Sequence, residues 1–132
     1  MTINYDIKNY PKFEKEFEKL KKQCTSLEKD FERLCKVIQV DLTKKNHRLT
    51  QRRYKQIPNL GKNVKFPVFK VKKFRCENIK KGNHSPFRFI FILDRKHKII
   101  YFTECYHKNK KDNQNNARIQ EICMNYEYYF DL

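Results

Sequence analysis

Two apolar runs separated by a short polar segment constrain the fold of this chain more than any other feature. Residues 87–93 form a nearly continuous apolar run, which is typical of a central strand covered on both faces. Residues 98–106 are rich in Ile, Tyr, Phe and Thr, which favour strands. The polar residues 94–97 between them predict a tight turn. The sequence therefore predicts a β-hairpin here.

The first forty residues predict a short strand followed by two helices. Residues 3–8 form the predicted strand, and Pro11 suits the first turn of a helix, where its missing N–H costs little. Residues 25–28 (Thr-Ser-Leu-Glu) have the form of a capping box and predict the start of the second helix. Apolar residues recur at helical spacing in both helices: Phe13, Phe17 and Leu20, then Leu27, Phe31, Leu34 and Ile38. We therefore expect an antiparallel helical hairpin.

Positive charge is concentrated between the helices and the hairpin. The chain has 31 Lys and Arg against 15 Asp and Glu, a formal charge of +16, and no acidic residue occurs from Leu42 to Cys76. Such one-signed charge predicts a polyanionic partner. Residues 43–66 are either a solvated connecting loop or an arm whose Arg52 and Arg53 contact phosphate, and both interpretations stay open.

The remaining segments complete the predicted order of elements. Residues 68–76 alternate apolar and basic side chains, with a break at Lys72-Lys73 that suggests a bulge. Residues 117–126 predict a terminal helix. The expected fold is one α+β domain over residues 1–132, in which an N-terminal helical hairpin packs on a small twisted antiparallel sheet with a C-terminal helix.

Cysteine usage and hydropathy narrow the possible classes of function. The five cysteines are widely spaced and include no C-x-x-C pair, which predicts reduced, buried thiols and neither a metal nor another cofactor. No segment approaches the roughly 18 to 20 apolar residues of a membrane span, and the first residues lack the layout of a signal peptide. We therefore expect a cytoplasmic protein without a membrane partner.

Several stretches of the second half occur in a recognisable order. Phe74-Arg75-Cys76-Glu77 is followed by Lys80-Lys81-Gly82 and by Pro86-Phe87-Arg88-Phe89-Ile90-Phe91, and residues 99–108 end in Tyr106-His107-Lys108. This set resembles the RelE/ParE superfamily of bacterial and archaeal toxins. The family has a Lys/Arg-bearing strand, a glycine loop, an aromatic-Arg-aliphatic strand, and a strand ending in Tyr or His followed by Lys. The helical hairpin fits as well, whereas the long basic segment departs from the shortest family members.

The resemblance implies a toxin that cleaves messenger RNA, in that family often on the ribosome, and that an acidic antitoxin protein neutralises. Metal-free cleavage proceeds by attack of a ribose 2′-hydroxyl on the adjacent phosphate. It needs a base, an acid for the departing 5′-oxygen, and positive charge against the phosphorane. Two other classes stay open: a gyrase inhibitor like the ParE branch, and a nucleic-acid-binding module without catalysis.

Arg88 is the central candidate residue. An arginine in an apolar strand must either pair with a carboxylate or face a groove that holds an anion. If Phe89 faces Thr103, Arg88 lies opposite Glu104 and an ion pair forms, so both alternatives stay open. Arg75, together with Lys70, Lys72 and Lys73, is expected to line a basic strip beside Arg88 that contacts phosphate.

The end of the second hairpin strand supplies the other candidates. His107 is the expected general acid or base, because an ordinary histidine pKa of about 6.5 suits proton transfer. Tyr106 is expected to stack on a base or position the 2′-hydroxyl, and Lys108 and Lys110 to stabilise the transition state. Each is equally consistent with an ordinary core or surface residue. The opposing base is one of three residues that sequence does not separate: Glu77, Glu104 and His84.

Overall fold

A five-stranded sheet with helices on both faces organises the chain. The computed structural model describes residues 4–44, 49, 51–72, 74–78, 85–111 and 113–132. Its helices and strands, in chain order, are β1 (Asp6–Asn9), α1 (Pro11–Lys21), α2 (Leu27–Thr43), β2 (Tyr54–Gln56), β3 (Val68–Val71), β4 (Phe87–Asp94), β5 (Ile99–His107), α3 (Asn116–Met124) and α4 (Tyr126–Tyr129).

The sheet has the strand order β1-β5-β4-β3-β2. The β4–β5 hairpin forms as predicted, and the α+β class is confirmed. The expectation of a small antiparallel sheet is wrong, because β1 pairs with β5 in parallel while the other pairs are antiparallel. The sheet is also larger than expected, because three residues of the basic segment form β2 against β3.

One face of the sheet packs against α1 and α2 through aromatic rings. Phe31 of α2 lies 5.3 Å from Phe89 and 4.8 Å from Phe102, and Phe13 of α1 lies 5.5 Å from Phe102, between ring centroids. Aromatic pairs at such distances contribute roughly 0.5–1.5 kcal/mol each beyond the burial of their area. This face therefore forms an aromatic core.

The opposite face packs against α3 and α4. Phe130, which follows α4, lies 5.0 Å from the Tyr101 ring of β5, and Lys8 of β1 donates to the Phe130 carbonyl. The Arg118 guanidinium of α3 donates to the Thr103 carbonyl at 3.0 Å. These contacts lie at the β1–β5 side of the sheet. None of the described helices combines the length and the apolar character needed to cross a bilayer.

Helix ends differ from the predictions in two places. Ser26 is the N-cap of α2, but no side chain caps the helix, and the Ser26 hydroxyl donates instead to Asp30 at 2.7 Å. The predicted capping box is therefore not formed. The predicted terminal helix is divided at Asn125 into α3 and α4, and the Asn115 side chain caps α3 by accepting from the Arg118 N–H at 3.0 Å.

Candidate functional site

Strand register brings basic side chains from three strands to one face of the sheet. Lys55 pairs with Lys70, Lys70 pairs with Ile90, and Arg88 pairs with Tyr106. Paired residues of a sheet share a face, and so do residues two apart on one strand. Beside them, the Lys111 ammonium lies 5.6 Å from the centroid of the Tyr106 ring. We call Lys55, Lys70, Arg88, Tyr106 and Lys111 the basic cluster.

The β4–β5 register differs from the one considered from sequence. Phe89 faces Cys105 rather than Thr103, and Glu104 faces Ile90 rather than Arg88. A bulge between Ile90 and Phe91 shifts the ladder, as an extra residue in one strand does. Arg88 and Glu104 still share a face of the sheet, but they are not paired across the strands.

Arg88 has no carboxylate partner in the described part of the chain. Its Nη1 donates to the carbonyls of Ser85 at 2.9 Å and Phe87 at 3.1 Å. The side chain is half-buried, so its charge is partly removed from water. Backbone carbonyls leave the positive charge uncompensated. The first alternative, an ion pair with Glu104, is therefore not formed, and a role of Arg88 in binding an anion stays a prediction.

Glu104 is bound to other residues. The side chain is 1% exposed; Oε1 accepts from the Asn115 N–H at 2.8 Å and Oε2 from Lys111. A buried carboxylate needs such partners, since leaving it unpaired costs several kcal/mol. These bonds fasten the loop between β5 and α3 to the sheet. They also occupy both oxygens that a general base would use.

Tyr106 presents a polar atom without a partner. The residue is 7% exposed, and its buried hydroxyl has no hydrogen-bond partner among the described residues. Burial and the nearby Glu104 carboxylate raise the pKa of Tyr106 to about 12, while Arg88 acts in the opposite direction. The phenol is therefore a hydrogen-bond donor at neutral pH. A buried unsatisfied group costs about 1–3 kcal/mol, and such groups are common at functional sites.

The cations of the basic cluster repel one another. Burial lowers the pKa of Lys70, and the positive charges of Lys55 and Arg88 lower it further, with Glu104 opposing. Like charges held together on a partly buried surface are relieved by a bound anion. The electrostatics of the basic cluster therefore favour a phosphate or another polyanionic group.

His107 lies at the rim of the basic cluster, on the other side of its strand. It pairs with Phe87, and the two ring centroids are 5.7 Å apart. Its Nδ1 accepts from the Asn109 N–H at 3.1 Å. Its pKa is lowered by burial and then by the positive charges of Lys110, Lys108 and Arg88. The neutral ring consequently carries its proton on Nε2 and acts there as a donor rather than as a base.

The other predicted contacts are spread over the surface. Lys108 and Lys110 are exposed in the turn after β5, Lys72 is exposed just past β3, and Arg52 is exposed in the turn before β2. Lys73 and the candidate base His84 lie outside the described residues. Lys108 and Lys110 are close enough to His107 to affect its pKa, so they belong to the rim of the same site.

Arg75 lies apart from the basic cluster. It lines a cavity of about 170 Å³ against α2, together with Arg53 and Phe74. The Phe74 ring lies 4.7 Å from the Phe89 ring, and this contact holds the segment on the face of the sheet that packs against α1 and α2. The structure therefore brings Arg88 and His107 together but not Arg75.

Two more of the candidate site residues lie on this same face, beside α2. Arg53, a predicted phosphate contact, pairs with Asp41 of α2 at 2.8 Å. Glu77, a candidate base, accepts from Arg33 of α2 at 2.7 Å. Neither side chain belongs to the basic cluster.

Two members of the basic cluster were missed from sequence. Lys55 sits in a three-residue strand that has too little periodicity to be recognised, although its alternation with Tyr54 is a weak signal. Lys111 belongs to a polar loop, and nothing in the sequence indicates that it folds back over Tyr106.

Comparison of the chain with protein-family models, with curated proteins and with solved structures finds no match. The resemblance to the RelE/ParE superfamily therefore remains a prediction from the sequence.

Proposed function

We propose that this protein is a toxin-like endoribonuclease that binds RNA on the basic cluster and cleaves it without a metal ion. The observation that carries the proposal is the Arg88 guanidinium. In the described part of the chain it is bound by carbonyls alone, beside Lys70 and the unpartnered Tyr106 hydroxyl. Phosphodiester cleavage uses groups of these three kinds: a guanidinium without a carboxylate partner (Arg88), an amine (Lys70) and a phenol (Tyr106).

Arg88 is the residue that stabilises charge on the phosphorane. Both of its carbonyl bonds use Nη1, so within the described part of the chain Nε and Nη2 of the planar fork are available for phosphate oxygens. Lys70 and Lys55 add positive charge on the same face. Donors that are already fixed toward the developing charge need no reorganisation during the reaction.

In the proposed reaction Lys70 accepts the proton, and Tyr106 and His107 donate hydrogen bonds. The lowered pKa of Lys70 increases the fraction of neutral amine that accepts the 2′-hydroxyl proton. The Tyr106 phenol, with its raised pKa, donates a hydrogen bond to a phosphate or ribose oxygen. His107, at the rim, donates a hydrogen bond from its Nε2–H to the departing 5′-oxygen, and that oxygen takes its proton from solvent. Glu104 keeps the loop in place and takes no proton.

The partners follow from the same charge. The substrate is messenger RNA, which in the resembled family is cut on the ribosome. The neutralising partner is an acidic protein that covers the basic cluster, since a chain of formal charge +16 favours an acidic ligand of either kind.

The test incubates the purified protein with messenger RNA in chelator, with and without ribosomes. We expect cleavage by the unaltered protein and a roughly 10²–10³-fold slower reaction with Arg88→Ala, the loss typical of removing one donor to a developing oxyanion. Arg95→Ala, in the exposed hairpin turn, is the matched control and keeps full activity. RNA that stays intact in both conditions refutes the proposed cleavage.

RNA binding without cleavage is a second candidate, favoured by the state of the carboxylates. Glu104 is bound to Lys111 and Asn115, and Glu77 is bound to Arg33, so neither of these two candidate bases is free. In this case the protein retards RNA in a gel with a steep salt dependence and leaves it whole. Arg88→Ala then weakens retardation and reduces the salt slope by about one.

A further inference from the structure

Three buried side chains of metal-ligating type meet away from the basic cluster. Cys24 lies in the connection between α1 and α2, Asp30 lies in the first turn of α2, and Cys76 follows β3. They are 2%, 1% and 1% exposed. Both sulfur atoms and a carboxylate oxygen of Asp30 lie within 4.8 Å of one another. Two thiols and a carboxylate excluded from water together are a set of ligands for a soft divalent cation.

The backbone spacing of the two cysteines favours a shared ion over a disulfide. Their sulfur atoms are in contact, but their Cα atoms are 7.9 Å apart. Protein disulfides join Cα atoms that are usually about 4.4–6.8 Å apart. Two thiolates on one zinc ion, with Zn–S bonds of about 2.3 Å, need no direct bond and bridge a wider separation.

Hydrogen bonds fix the orientation of the Asp30 carboxylate, as they do for carboxylates that bind metal ions. Its Oδ1 accepts from the Arg33 guanidinium at 3.3 Å, and the Glu77 N–H is shared between Oδ1 at 3.4 Å and Oδ2 at 3.3 Å. Outer contacts of this kind fix the direction of a metal-binding carboxylate. Its Oδ2 accepts from the Ser26 hydroxyl at 2.7 Å. The same hydroxyl lies 3.5 Å from the Cys24 sulfur and 3.6 Å from the Cys76 sulfur.

We propose that Cys24, Cys76 and Asp30 form a structural zinc site, with the Ser26 hydroxyl or a water molecule in the fourth position. The Ser26 oxygen contacts Cys24, Asp30 and Cys76. The proposed ion lies among these same three side chains, next to the Ser26 oxygen. Binding releases the two thiol protons to solvent, and the sulfur atoms separate to admit the ion. The site joins the start of α2 to the segment after β3. It is independent of the proposed RNA chemistry.

The absence of a C-x-x-C pair led us to expect no metal from the sequence. The two cysteines are 52 residues apart, so their meeting depends entirely on the fold. Ser26 and Asp30, four residues apart at the start of a helix, give no metal signature of their own.

The test measures zinc in the full chain, purified with a thiol reductant and without chelator. We expect one zinc per chain, lost in Cys24→Ser and Cys76→Ser and kept in Cys35→Ser, whose half-buried thiol on α2 is the matched control. Asp30→Asn is expected to bind zinc roughly 10–100-fold more weakly. Cobalt in place of zinc gives a sulfur-to-metal charge-transfer band with the strength of two thiolates.

The unaltered protein decides the question even if the serine variants do not fold. Chelation of bound zinc should lower its melting temperature, and added zinc should restore it. A protein without metal that is lighter by two hydrogens, as mass spectrometry reports for a disulfide, overturns the proposal. Free thiols that bind neither zinc nor cobalt overturn it as well.

Discussion

The side chains of strand β4 have opposite surroundings on the two faces of the sheet. Along β4, Phe89 and Phe91 are fully buried among rings from the helices and neighbouring strands. Arg88, between Phe87 and Phe89, turns to the other face and ends in a cluster of cations. The side that faces α1 and α2 is stabilised by close packing of aromatic rings. The other side keeps charge that only a buried carboxylate and backbone carbonyls partly offset.

This difference separates stability from function within one hairpin. Residues on the aromatic face should matter for folding and little for RNA, because they are covered from solvent. Residues of the basic cluster should matter for RNA and little for folding, because their present contacts satisfy them poorly. Lys111 is the exception, since its ion pair with the buried Glu104, which also accepts from the Asn115 N–H, holds the loop after β5 on the sheet. Four substitutions separate these roles.

Phe89→Ala should have the largest effect on stability. Phe89 is fully buried and contacts the rings of Phe13, Phe31 and Phe74. We expect the free energy of unfolding to fall by about 3–5 kcal/mol in urea denaturation, from lost burial and the cavity left behind. Phe89→Leu, which preserves most of the volume, should cost less than half as much. A loss below about 1 kcal/mol for alanine contradicts the assigned core.

Glu104→Gln should come next. The amide keeps an acceptor for the Asn115 N–H but loses the charge that binds Lys111, so we expect destabilisation by about 2 kcal/mol. Lys111→Met should cost a similar amount. Because the two residues interact, the double variant should cost less than the sum of both, measured by the same denaturation. Strict additivity means that the pair does not anchor the loop.

Tyr106→Phe should affect function while sparing the fold. The hydroxyl has no partner among the described residues, so its removal should leave the stability unchanged or raise it by up to about 1 kcal/mol. RNA cleavage, or RNA affinity if no cleavage occurs, should fall roughly tenfold, which corresponds to about 1.4 kcal/mol. Tyr128→Phe, at a side chain 81% exposed, is the control and should change neither. A large loss of stability indicates that the phenol serves the core.

His107→Gln should have the smallest effect on stability, seen in its pH dependence. Since the pKa of His107 is lowered in the folded protein, the unfolded chain binds the proton more readily. The neutral ring therefore favours folding above the ordinary pKa of about 6.5, and this contribution is lost as pH falls through the lowered value. Wild type should lose more stability between neutral and acidic pH than His107→Gln. Equal curves show that the neighbouring cations do not act on the ring.

The elements that follow from local sequence were predicted well. The β4–β5 hairpin and the two long helices depend on periodicity within short windows, and they form close to the expected positions. The parallel pairing of β1 with β5 and the short β2 depend on partners far away in the chain. A three-residue strand such as Tyr54–Gln56 is stabilised by the strand beside it, and its own propensity carries little information.

The positions of the candidate site residues were predicted in part, for a similar reason. Arg88, Tyr106, His107 and Lys70 carry signals in strand position and residue type, and the fold brings them close together. The position of Arg75 depends on which way the chain turns after β3, and Phe74 packing on Phe89 decides that. The bulge between Ile90 and Phe91 decides the register of Glu104, and no local pattern reveals it.

The order of the strands in space has a consequence for synthesis. In the order β1-β5-β4-β3-β2, β5 and β4 occupy the second and third positions. Both nevertheless follow β1, β2 and β3 in the chain. During translation β1 cannot pair until β5 has been synthesised, and the β2–β3 pair cannot join the rest of the sheet until β4 has been synthesised. Since Arg88 and Tyr106 lie on these late strands, the surface that we propose to hold RNA cannot assemble until residues 87–107 have emerged.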